Sequence, residues 1–100
     1  MTVVTLARKF LPLVLSGRKT STIRKGTRRW AVGPAFIASG GKRVKVRITE
    51  IRHRTLADLT EEDAVRDGFH SLPQLRQALL EFYPDLSMCD KVTIAFFRTL

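Results

Sequence analysis

Phe36-Ile37-Ala38-Ser39-Gly40-Gly41-Lys42-Arg43-Val44-Lys45-Val46-Arg47-Ile48 is the stretch whose reading decides the fold. Two consecutive glycines stand between two apolar runs. Both can take positive φ, as a two-residue hairpin turn demands, so the flanking runs read as paired antiparallel strands. In the second run Val44, Val46 and Ile48 alternate with Arg43, Lys45 and Arg47. A period of two puts the aliphatic set on a core face and the cations in a row on the opposite face. The strand extends over Lys42 to Arg54, and its phase slips once, because Ile51 is an odd step from Ile48. A β-bulge near Thr49-Glu50 absorbs such a slip.

Toward the N-terminus, Trp30 to Ala38 is apolar and broken by Gly33-Pro34, and Lys25 to Arg29 is a basic turn around Gly26. Thr20 to Arg24 alternates β-branched and polar residues, which suits a strand or an extended loop. Phe10, Leu13 and Val14 recur at helical spacing. Pro12 fits only a first turn, and Gly17 stands where that short helix must end. Thr2 to Leu6 is β-branched and apolar, a first strand. Toward the C-terminus, Thr60 and Asp63 resemble a capping box, with Ala64 and Val65 facing inward and Gly68 stopping the turn. Ser71 with Gln74 reads as a second capping box. It opens a helix whose stripe is Leu72, Leu75, Leu79 and Phe82 and which Pro84 closes. Val92, Ile94 and Phe96 mark a last strand over Lys91 to Thr99.

The order is therefore β-α-β-β-β-α-α-β in a single domain spanning residues 1–100. That order predicts an α+β fold, a curved, mostly antiparallel sheet or small barrel flanked by short helices.

The chain carries a net charge of +9, and the charge is segregated. Residues 1–54 hold fourteen Lys/Arg and one acid, a balance of +13; residues 55–100 stand at −4. A polyanion-binding face built by the first half explains this split better than a uniformly solvated surface does. Nucleic acid is accordingly the expected partner. The single cysteine, Cys89, leaves no disulfide framework and no multi-cysteine metal site, and we expect it partly buried. The apolar run Phe10 to Leu15 is far shorter than the roughly 20 residues that span a bilayer. No cleavage pattern follows it, so a cytoplasmic protein with no membrane partner is expected.

No phosphate-binding glycine loop or paired-histidine motif is present, and no metal or cofactor is expected. His53 and His70 are isolated and read as surface or hydrogen-bonded residues rather than catalysts. Trp30, beside Arg28-Arg29, suits stacking on a base, but a lone tryptophan is more commonly core, and core is the expectation. Gly17-Arg18-Lys19-Thr20-Ser21-Thr22-Ile23-Arg24 is different. Gly17 lets the backbone approach a ligand closely. Lys19 follows the helix-ending turn, where the chain can bend it toward the Thr22 hydroxyl. Lysine, hydroxyl and Arg24 together suit a phosphate or a base carbonyl. A desolvated Lys19 could also activate a nucleophile.

The spacing Gly17-x-Lys19-x-x-x-x-Arg24 resembles the signature of the ASCH domain, a relative of the RNA-binding PUA domains. Leu59-Thr60-Glu61-Glu62-Asp63-Ala64 through Asp67-Gly68-Phe69 is similar to that family's helical segment. Leu75 through Tyr83-Pro84 and the closing strand fit as well, so the resemblance covers nearly the whole chain. It implies a PUA-like curved antiparallel β-barrel with flanking short helices. It also implies two kinds of activity. One is RNA binding, here to tRNA or ribosomal RNA. The other is hydrolysis of the acetyl amide of N4-acetylcytidine or a similar modified nucleoside, and RNA cleavage in the same cleft is a weaker third. By residue, Lys19 matches the family's catalytic lysine, Thr22 its threonine, and Asp67 falls where the family has a glutamate. The aspartate is one methylene shorter, a displacement of about 1.5 Å. Gly33-Pro34 departs too, where related sequences carry Gly-Asp. For RNA binding, Gly17, Lys19 and Arg24 would line the cleft. Arg28, Arg29, Arg43, Lys45, Arg47, Arg52 and Arg54 would track the phosphates.

Overall fold

The computed structural model describes residues 2–100 and follows the expected element order. It runs β1 (Thr2–Thr5), α1 (Leu11–Leu15), β2 (Ser21–Lys25), β3 (Gly33–Ser39), β4 (Lys42–Thr55), α2 (Glu61–Arg66), α3 (Leu72–Phe82) and β5 (Lys91–Thr99). Single 3-10 turns lie at Arg8–Phe10 and Leu56–Asp58. Gly40 and Gly41 take φ of +56° and +81°, which closes the β3–β4 hairpin in the expected register, Ser39 opposite Lys42.

The five strands form one sheet in the order β1-β3-β4-β5-β2. Three neighbouring pairs are antiparallel, in keeping with the mostly antiparallel sheet expected. The pair β1–β3 is parallel, so the sheet is mixed. Its physical reason is the connection: α1 and β2 intervene between β1 and β3, and a crossover of that length is what parallel strands need. The sheet curls without pairing its two edges, β1 and β2. A side chain bridges that seam instead: Arg24 on β2 donates to the Thr5 carbonyl on β1.

The curl makes two cores. Inside it, Leu6, Val14, Ala35, Ile37, Val46, Ile48, Ala95 and Phe97 pack together, with Trp30 half-buried against them. Outside it, α2 and α3 cover the β5–β2 end, packing Ala64, Leu75 and Leu79 on Ile23, Val92, Ile94 and Phe96. Strand β5 is therefore buried on both faces from Val92 to Phe97.

The predicted bulge is present: the β4–β5 register shifts between Ile48 and Glu50. It keeps Glu50, Arg52 and Arg54 on the same face as Arg43, Lys45 and Arg47; beyond the bulge that face meets α2, where Arg54 reaches Asp63, while the Arg43–Arg47 end stays in solvent.

Several local expectations are corrected. Val65 is exposed, and Asp63 takes the inward position beside Ala64. Asp63 caps α2 as expected, exchanging bonds with Thr60, and also meets Arg54 at 3.2 Å. Ser71 caps α3, but the Gln74 side chain accepts from the His70 amide and not from Ser71, so the second box is incomplete. Phe82 is exposed at the end of its stripe, and Cys89 is exposed where a partly buried position was expected. No helix among the described residues is long and apolar enough to cross a membrane.

Candidate functional site

The segment after α1 runs across the C-terminal end of α2. The Lys19 amide donates to the Leu13 carbonyl, and the Thr20 amide donates to the Arg66 carbonyl. This lays Lys19 directly over Asp67, the residue that ends α2. Lys19 Nζ donates to Asp67 Oδ1 at 2.9 Å and to the Asp67 carbonyl at 3.0 Å. Placing a cation on terminal helix carbonyls matches the negative end of the helix dipole. Both residues are buried, Lys19 being 3% and Asp67 5% exposed. Gly68 makes the approach possible. Its φ is +92°, and a Cβ there would sit 3.3 Å from Lys19 Cβ and from Leu13 Cδ1.

The pair's electrostatics follow from its burial. Desolvation pushes the Lys19 ammonium below the usual lysine range, and the Asp67 charge and hydrogen bond offset part of that fall. Desolvation likewise lifts the Asp67 carboxyl above the usual carboxylate range, countered by Lys19, by the Ser21 hydroxyl and by Arg24. Burial also lowers Arg24, opposed by Tyr83 and Asp67.

The hydroxyl beside this pair is Ser21, whose Oγ donates to Asp67 Oδ1 at 3.2 Å. Lys19 does not turn to Thr22 as the sequence suggested; Asp67 holds its ammonium. Strand alternation puts Thr22 opposite Ala95, on the inner face of the curl, and Ser21 opposite Phe96, on the outer. The Thr22 hydroxyl accepts from Arg24 Nη1 at 2.6 Å. Arg24 thus ties Thr22, the Ile23 carbonyl and the Thr5 carbonyl together at the seam.

A cavity of about 180 Å³ opens there, between β1, β2 and α3. Lys19, Arg24 and Asp67 supply its polar wall. Phe10, Phe69, Phe82 and Tyr83 supply flat aromatic surface. Drug-sized ligands take about 300–1,000 Å³, so this space suits one planar ring with a few polar edges.

The other candidates are dispersed. Gly17 lies in the turn at φ +80° with open space around it. Arg28 and Arg29 are exposed on the β2–β3 connection, where the Arg28 amide donates to Thr93 Oγ1. Arg43, Lys45 and Arg47 form an exposed row, and no carboxylate among the described residues pairs with them. Arg52 and Arg54, beyond the bulge on the same face, are ion-paired. Arg52 pairs with Glu50 and lies over the Phe96 ring, and Arg54 meets Asp63. Sequence reasoning missed Ser21 and Tyr83. Ser21 was legible from strand parity, but only with Asp67's position in hand. Among the described residues no cluster of His, Cys, Asp and Glu could hold a metal ion.

By sequence, the chain matches no family model and no curated protein. By backbone it is similar to solved structures along nearly its whole length. It matches the ASCH domain of Lactobacillus crispatus with a TM-score of 0.83 at 14% identity, covering 98% of this chain and 79% of that one. A protein from Enterococcus faecalis gives 0.80 at 17% identity, with 100% and 76% covered. ASCH from Zymomonas mobilis gives 0.68 at 19% identity, with 96% and 65% covered. The chain has the ASCH fold: a curled, mixed five-stranded sheet of the PUA-like kind with short helices laid against it.

Proposed function

We propose that this protein binds RNA, a structured tRNA or ribosomal RNA, with one unstacked base seated in the cavity at the Lys19–Asp67 pair. The observation that carries this reading is the row Arg43, Lys45 and Arg47. It faces solvent with no carboxylate among the described residues to neutralise it, although Arg52 and Arg54 on the same strand are both neutralised. Cations left unpaired on one face are what a phosphate backbone requires. The cavity adds a place for a base, since aromatic walls stack on rings and Arg24 and Lys19 can donate to a base carbonyl.

Gel-shift titration against a structured RNA at several salt concentrations tests the reading. Affinity should fall steeply with salt. The variant Arg43→Glu/Lys45→Glu/Arg47→Glu should flatten the salt slope by about one per phosphate contact removed. Equal affinity at low and high salt would exclude the basic row as the binding face.

A second reading is favoured by one observation, the burial that drives Lys19 toward its neutral, basic form. A buried lysine of that kind is suited to proton abstraction, here in hydrolysis of the acetyl amide of N4-acetylcytidine or a similar nucleoside. Thr22 as nucleophile would first have to leave Arg24; Ser21 already stands on the pair. Incubation with the acetylated nucleoside and chromatography of the products decides it. No turnover, or full turnover by Lys19→Ala, excludes it. The same incubation with RNA reads strand cleavage, and RNA recovered intact excludes a ribonuclease.

A further inference from the structure

The outer face of the sheet is covered by helices only at its β5–β2 end. Over β1, β3 and residues 42–48 of β4 it is bare, and what it presents is unusual for a solvated sheet surface. Val3 is 42% exposed and stands beside Phe36, whose ring is half-buried. Lys45 lies opposite Phe36 on β4, and the Arg43 guanidinium lies over the ring, 5.6 Å from its centre, an exposed side chain that a stacking base would displace. Further along the same face Arg47 on β4 stands directly opposite Arg98 on β5. Like charges directly opposite on paired strands destabilise a sheet. Among the described residues no carboxylate forms an ion pair with either arginine. A local conflict of this kind marks a place where function has been kept at stability's expense.

We infer that this bare face is a platform for an unpaired RNA strand, with a base stacked on Phe36 and the adjoining phosphates held between Arg47 and Arg98. The inference rests on the RNA-binding reading above and adds to it the class of RNA that the sheet takes. A ring lying on an open sheet among cations serves bases free to stack, whereas duplex bases are already stacked and expose only groove edges and backbone. Polyanion binding also removes the Arg47–Arg98 repulsion. The platform leads to the cavity. Arg43, Ala38 and Thr5 are successive neighbours across β4, β3 and β1. Thr5 lines the cavity, two strand spacings of about 4.8 Å from Arg43. A strand crossing Phe36 therefore arrives where Arg24 and Lys19 wait.

The experiment compares fluorescence anisotropy of the full chain with a short unpaired RNA and with a blunt RNA duplex. Phe36→Leu keeps an apolar side chain but removes the ring's face. It should weaken the unpaired strand about tenfold and leave the duplex unchanged. Arg98→Glu puts a carboxylate opposite Arg47, so it should raise the melting temperature while weakening the unpaired strand. Opposite movement of stability and affinity excludes unfolding as the cause. Unchanged affinity of both variants for the unpaired strand, with Arg43→Glu/Lys45→Glu/Arg47→Glu still impaired, overturns the platform and leaves RNA binding standing. Failure of the wild type to bind either RNA at low salt overturns both.

Discussion

Lys19 and Asp67 form a buried ion pair, and such a pair is costly to break and often costs little to replace whole. Asp67→Leu alone should cost about 3–5 kcal/mol, because it leaves an unpaired ammonium in the core. Lys19→Met/Asp67→Leu should cost far less. Urea denaturation of the single and double variants measures both, and equal losses would mean that the two residues do not act as a pair. The pH dependence has a definite sign. The folded Lys19 value lies below its unfolded 10.5, so between the two the unfolded chain holds more protons. Stability is then gained as pH rises through that window. The folded Asp67 value lies above its unfolded 3.8, so there the folded chain holds more protons and stability is lost as pH rises. Relative to the double variant, wild type should therefore weaken as pH rises above 3.8 and recover as pH approaches 10.5. A difference flat with pH would contradict the shifts. The pair was half legible in the sequence. Gly17-x-Lys19 marked the lysine and the resemblance marked Asp67, but which hydroxyl joined them depended on strand parity. Thr22 and Ser21 are adjacent in the chain and lie on opposite faces of β2.

At the scale of elements, the order and extents of the strands were readable because glycines and prolines punctuate clear periodic runs. Gly40-Gly41 fixed the hairpin, and the odd step to Ile51 revealed the bulge. What the bulged end of the strand meets was not legible. The bulge keeps Arg52 and Arg54 on the face that carries Arg43, Lys45 and Arg47, but there α2 approaches the strand, and Glu50 and Asp63 neutralise them, so they do not extend the free row. Val65 failed for a related reason. A six-residue helix has room for one inward face, and Asp63 and Ala64 already occupy it. The α2 exit sets up a contrast between two small changes. Thr60→Ala removes a cap and should cost about 1 kcal/mol while leaving the cavity intact. Gly68→Ala forces a side chain into positive φ and against Lys19 Cβ, and should cost more than about 1 kcal/mol. Only Gly68→Ala should also weaken RNA binding, since it alone displaces Lys19. Thermal melts and gel shifts of both variants check this. Equal binding by the two would separate the cavity wall from the RNA site.

For the whole molecule, the segregated charge is what the sequence showed most plainly and what the fold concentrates further. Four cations, Arg43, Lys45, Arg47 and Arg98, share one bare sheet face, and Arg98 comes from the half of the chain that is otherwise acidic. Tertiary pairing alone brought it there, so the sequence could not assign it. Self-repulsion on that face lowers stability, and salt screens it over about 10 Å at 0.1 M. The melting temperature should accordingly rise with ionic strength. A relief of about 1 kcal/mol would appear as roughly 4–8 °C in a domain of this size. Arg98→Glu supplies the relief internally, so its advantage over wild type should be largest at low salt and shrink as salt is added. RNA should stabilise wild type in the same direction by binding the folded state alone, and should stabilise Arg98→Glu less. Scanning calorimetry across a salt series, with and without RNA, reads all of these effects. A wild-type melting temperature independent of salt would mean that the cations on this face are too far apart to repel, and would remove the strain argument for the platform.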